Sequence, residues 1–146
     1  MSVTTATATA AKSESGSRRK ARLLTVAAAV AAAVIVWGIA ELAGMHLRQP
    51  GFGSRATTPL NAGFVIGVSL IASLAGWALL AGLEHATTRA RGIWTTVAVV
   101  FVLLSLGGPF SGHGVSTGNR LVLGLIHLLV AAIVITGLPR AGTSAR

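Results

Sequence analysis

The chain has 146 residues, enough for one domain, and only 10% of them are charged, against about a quarter in soluble domains. Mean hydropathy is +0.76, and the net charge of +9 comes from cations gathered into short segments separated by span-sized apolar gaps. Cations that flank apolar runs without interleaved aromatic residues exclude a nucleic-acid partner, and the absence of cysteine excludes disulfides, zinc–thiolate sites and thiol nucleophiles.

Residues Met1 to Ser17 are mostly Thr, Ala and Ser. They bury too little apolar surface to offset their ordering entropy, so residues 1–22 read as a disordered, basic cytoplasmic tail. Its end, Arg18-Arg19-Lys20-Ala21-Arg22, carries four cations in five residues. Arg18, Arg19, Lys20 and Arg22 suit anchoring to anionic lipid headgroups, at about 1 kcal/mol per cation near the surface. The apolar run that follows, residues 23–43, has the length of a membrane span, roughly 20 residues. It exceeds the apolar stretch of a signal peptide, and no clean A-x-A cleavage site precedes Gly44, so an uncleaved first helix is expected.

Gly44 to Thr58 is a polar connection with Pro50-Gly51 and Gly53 as turn markers. Thr58-Pro59 reads as an N-cap with proline at the first helical position. The second span is expected over 60–83. Its Gly63-x-x-x-Gly67 and the small residues Ser69, Ala72, Ser73 and Gly76 form a helix-packing stripe, since small side chains let backbones approach in lipid. Glu84 to Gly92 reads as a charged loop.

The third span, 93–110, is rich in β-branched residues, but a lone strand cannot satisfy its backbone in lipid, which forces a helix. Ser105-Leu-Gly-Gly-Pro-Phe110 should loosen or kink its last turn. A Gly-rich connection with His113 leads to the fourth span, 121–138, where Gly124 joins the helix-packing set. Pro139 ends it, and 139–146 form a short cytoplasmic tail. Trp37 and Trp94 fall near span ends, as interfacial anchors do, and Trp77 lies deeper. Nine of the twelve cations fall in the amino-terminal segment, the middle loop and the tail; Arg48, Arg55 and Arg120 fall on the other side. This asymmetry predicts both termini inside.

Counted at 1.5 Å per residue, Glu41, Ser105 and His127 lie roughly 3, 8 and 9 Å below the outer boundary. Intramembrane ionisable groups are expensive and usually face the protein interior. One reading gathers the three into a polar site that relays protons, holds a cation or binds a small polar ligand. The other has neutral His127 hydrogen-bonding Ser105 or a carbonyl freed near Pro109, with Glu41 reaching the headgroups; such bonds are common helix glue. His46, His113, His127 and Glu41 lack the i, i+4 spacing of a helical metal site, and Ser111-Gly-His-Gly lacks the pattern of a nucleophile elbow. No catalytic residue, cofactor or metal is expected.

Four spans, Gly76-Trp77-Ala-Leu-Leu-Ala-Gly-Leu-Glu84 closing the second, Ser105-Leu-Gly-Gly-Pro109 closing the third and Leu125-Ile-His127-Leu in the fourth resemble a family of small actinobacterial integral membrane proteins known only as a domain of unknown function. The resemblance covers roughly Leu23 to Leu138. It implies the four-helix layout, and that Trp77, Glu84, Ser105, Pro109 and His127 are family features, but no activity, cofactor or substrate. The expectation is an all-α, up-down-up-down, four-span bundle in a bacterial plasma membrane. Its expected role is non-enzymatic packing with itself or a membrane partner; the alternative is a small transporter or ion-coupled carrier subunit using Glu41 and His127.

Overall fold

The computed structural model describes residues 3–53 and 55–141, with side chains from Ser15 onward. Four helices follow one another: α1 (Val3–Leu42), α2 (Ala62–Ala86), α3 (Ala90–Ser111) and α4 (Thr117–Arg140). Two short strands, β1 (Arg48–Gln49) and β2 (Thr58–Pro59), pair antiparallel in the α1–α2 connection. All four helices, α1 counted from Ser15, are long and apolar enough to cross a membrane, yet less than a third of each apolar window is buried inside the bundle. Leu42, Ile71, Phe101 and Leu104 point outward. Helices that are apolar on their outer faces as well as their inner ones have lipid as their natural solvent.

Helix α1 takes in the basic segment, so Arg18–Arg22 belong to it and not to the expected tail. Arg22 is packed at 8% exposure. Met1, Ser2 and residues 142–146 lie outside the described residues. At its other end α1 closes with a Schellman motif: Gly44 N donates to Glu41 O and Met45 N to Ala40 O, with Gly44 at φ +78°. Only a residue without Cβ enters that conformation freely.

The start of α2 departs from expectation. Asn61, not Thr58, is the N-cap, and its side chain accepts from Phe64 N at 2.9 Å. Thr58 and Pro59 instead pair with Gln49 and Arg48, where extended backbone suits proline's φ at an edge. Glu84, expected in a loop, lies in the last turn of α2, and α3 begins three residues before the expected Ile93. Ser116 caps α4 by accepting from Asn119 N, which starts that helix earlier than Leu121. Helix α3 runs through Gly-Gly-Pro to Ser111, one residue beyond the expected Phe110; Arg120 donates to the Phe110 and Gly112 carbonyls at its end.

Helices α1 and α3 each pack against both α2 and α4, giving a ring of neighbours. One core cluster joins Ala29, Leu80, Trp94, Ala98, Val134 and Leu138; a second joins Ala33, Val65 and Ile126, with Trp37 against it. Trp94 is therefore a core residue at 3% exposure, not an interfacial anchor: its ring lies over Gly76, where an added Cβ would come 3.0 Å from Cη2. The expected packing residues divide accordingly. Ser69 and Ser73 are buried, Gly76 meets Trp94 and Val134, and Gly124 meets the Phe110 ring. Gly63 and Gly67 do not pack on another helix of the chain; an added Cβ would meet only the Asn61 cap at Gly63 and nothing at Gly67.

Among the helical glycines, the closest approach to another helix is at one outside that expected set. A Cβ on Gly137 of α4 would lie 2.5 Å from Thr25 Cγ2 of α1, and Thr25 is tethered by its own bond to Ala21 O. Overpacking of this kind typically costs about 1–3 kcal/mol. Gly137→Ala should therefore lower the unfolding midpoint in detergent, followed by circular dichroism, while Gly67→Ala should leave it unchanged or raise it.

Candidate functional site

Each of the three polar residues placed together by depth has its own local task. Glu41 sits in the last turn of α1, where Oε1 accepts from Leu47 N at 2.7 Å and Oε2 pairs with His46 Nδ1 at 3.1 Å. His46 is at φ +35°, in the left-handed region, and such a residue needs support from its surroundings. Glu41 supplies that support, so it is a loop-holding residue and not part of an intramembrane cluster.

Ser105 donates to Val102 O of its own helix at 2.8 Å, not to His127. His127 bonds Leu123 O, one turn back in α4, through Nδ1 at 2.7 Å. Because a carbonyl only accepts, Nδ1 carries the hydrogen, and a neutral ring has Nε2 as acceptor. Neither the Ser105 hydroxyl nor a carbonyl near Pro109 is its partner. The two residues nevertheless line one cavity of about 480 Å³ among α2, α3 and α4. Its walls are largely apolar, with Ser69, Ser73, Gly76 and Trp94 also contributing. Val68, Leu79, Val97 and Phe101 border it and remain exposed, so the cavity opens sideways toward the lipid. Ser73 Oγ and Trp94 Nε1 are buried there without a hydrogen-bond partner.

The hairpin end is closed by polar contacts. Asn119 accepts from Arg48 N at 2.7 Å and donates to Arg48 O at 2.9 Å, so one amide extends the backbone pairing. Gly51 and His113 exchange both backbone hydrogen bonds; a Cβ at Gly51 would fall 2.4 Å from Arg55 O, so only glycine fits. Leu47, at 1% exposure, plugs the bundle beneath.

At the opposite, basic end, Arg22 Nη2 donates to both oxygens of Glu84, at 2.6 and 2.8 Å. This ion pair ties α1 to α2. Sequence spacing gave no sign of it: the partners are 62 residues apart, and only the shared end of two antiparallel spans hinted at it. Of the expected headgroup anchors, Arg18, Arg19 and Arg22 share one face of α1, and Lys20 lies off that face, exposed. Among the described residues, no three His, Asp or Glu side chains gather closely enough to hold a metal ion.

Residues 13–144 match the sequence model described as a family of unknown function (DUF6069), and the chain belongs to that family. Neither a curated protein nor a solved structure matches it.

Removing one partner of a largely buried ion pair strands the other charge, at about 3–5 kcal/mol when both are buried. Glu84 is one-third exposed, so screening reduces this, and about 1–3 kcal/mol is expected for Glu84→Ala. The double variant Arg22→Leu, Glu84→Leu should recover part of that loss in a double-mutant cycle read by unfolding in detergent.

Proposed function

We propose that this family member is a non-enzymatic, multi-pass plasma-membrane protein that associates laterally with another membrane helix, in the first instance a second copy of itself. The observation that carries the reading is the side-opening cavity of α2, α3 and α4, whose α2 wall exposes Ala72 and Ala75 beside Ser69, Ser73 and Gly76. Small side chains let two backbones approach until van der Waals contact and interhelical hydrogen bonds replace lipid contacts. The unpartnered Ser73 Oγ adds a polar group that a shift in packing would satisfy. Gly63 and Gly67, unused within the chain, offer a further close-approach strip on α2.

The non-enzymatic part of the proposal is supported by the bonding of Ser105 and His127. Each is engaged by a carbonyl of its own helix, whereas a nucleophile and base would face each other across a shared hydrogen bond. The carrier reading would have to rest on His127 alone, because Glu41 is engaged at the end of α1.

The cation distribution supports cytoplasmic termini. Arg18, Arg19, Arg22, Arg89 and Arg91 meet at the basic end, while Arg48 and Arg120 at the other end are engaged with Thr57, Phe110 and Gly112. An excess of basic residues marks the cytoplasmic side.

The chain contains no cysteine, so single-cysteine variants report cleanly. Ala75→Cys should form cross-linked dimers with a bis-maleimide in native membranes, while Ile35→Cys, exposed on α1, should not; equal yields at both positions would refute association through this face. In intact cells, Arg55→Cys should react with a membrane-impermeant maleimide, and Thr88→Cys should react only after lysis. The reverse pattern would invert the proposed threading.

A further inference from the structure

At the basic end, a cleft of about 1020 Å³ lies between α1 and the α2–α3 turn. Ser15, Arg18, Arg19 and Arg22 recur at i, i+3, i+4 and i+7, so a single face of α1 forms one wall. Arg89 and Arg91 stand on the opposite wall, while Trp77 and Ala81, one to two turns back along α2 from Glu84, supply an apolar floor. Five guanidinium groups thus face one carboxylate, Glu84, which Arg22 already engages. Three further features make this more than a charged rim. Arg22 is 8% exposed, and its Nε is buried with no hydrogen-bond partner. The amino terminus of α3 opens into the cleft, and its N-cap, Arg89, provides no side-chain acceptor. Arg89 and Arg91 are exposed and have no ion-pair partner among the described residues.

Guanidinium forks and uncapped helix N–H groups are complementary to phosphate oxygens, and together they favour an anion with several acceptors over a single carboxylate. An indole at the floor adds a surface for the apolar part of an amphiphile. We propose that this cleft binds a phosphate-bearing anion through Arg18, Arg19, Arg89 and Arg91 and the start of α3, with Trp77 beneath it. A headgroup of an anionic phospholipid and a soluble phosphate share this chemistry. The site is separate from the lateral face and does not rest on the association reading.

Native mass spectrometry of the purified, delipidated full-length chain tests the proposal, with phosphatidylglycerol, phosphatidylcholine and inorganic phosphate as probes. The wild type should retain phosphatidylglycerol in preference to phosphatidylcholine. Near a membrane surface each cation contributes about 1 kcal/mol, equivalent to about fivefold in affinity. Arg89→Gln and Arg91→Gln should each lower retention by about that factor, and Arg18→Gln with Arg19→Gln should repeat the effect from the other wall. Lys20→Gln, which removes a cation outside the cleft, should change it by less than about twofold on the same scale. Displacement of the lipid by inorganic phosphate identifies a soluble ligand; resistance to displacement identifies the headgroup. Retention unchanged in both Arg pairs, a loss with Lys20→Gln equal to that with Arg89→Gln, or no binding of either phosphate probe would overturn the site.

Discussion

A leucine gains almost nothing by leaving lipid tails for the side of another helix, and this constraint governs how the bundle is held together. What distinguishes one helix pairing from another is how closely the backbones approach. The buried face of α1 is mostly alanine, with Ala29, Ala33 and Ala40 toward the core. Gly137 lets α4 come up against Thr25, and Gly76 makes room for the Trp94 ring. A few large side chains, Leu80, Trp94 and Leu138, then fill what the small residues leave. The outward leucines, isoleucines and valines do not select a partner; they meet the solvent.

Polar groups do the remaining selecting. Where lipid offers no competing water, a satisfied hydrogen bond fixes geometry and an unsatisfied one is costly. Most polar side chains within the spans bond to the carbonyl three or four residues earlier in the same helix: Thr25, Thr95, Thr96, Ser105, His127 and Thr136. Contacts that join different helices or connections are concentrated at the two ends, in Arg22–Glu84 at one and Arg48–Asn119 with Arg120 at the other. The interior thus depends on shape and the rims on charge and hydrogen bonding.

The division explains what was legible in the chain before its fold was known. Span existence follows from length and hydropathy, which are properties of continuous segments, and all four helices form where those segments lie. The end of α1 was visible because the apolar run 23–43 gives way to the polar connection that starts at Gly44. Thr58-Pro59 misled because the pair is equally at home in an edge strand, and the competing cap, Asn61, sits only three residues later. Depth along the membrane normal put Glu41, Ser105 and His127 at similar levels. It carries no information on rotation about each helix axis, and rotation turns Glu41 toward His46 while Ser105 and His127 share a cavity. Trp94 followed the same pattern: its position near a span end was read correctly, but its direction was not. The Arg22–Glu84 pair could not be read from spacing at all, since it exists only once α1 and α2 are folded side by side.

The backbone exchange between Gly51 and His113, with Asn119 gripping Arg48, has a mechanical consequence. These contacts fasten the first helix pair to the second where their loops meet. At the far rim, the Arg22–Glu84 pair joins α1 to α2 beside the cationic cleft that lies between α1 and the α2–α3 turn. The connection end therefore joins the helix pairs through backbone, while the basic end joins α1 to α2 through a side-chain ion pair.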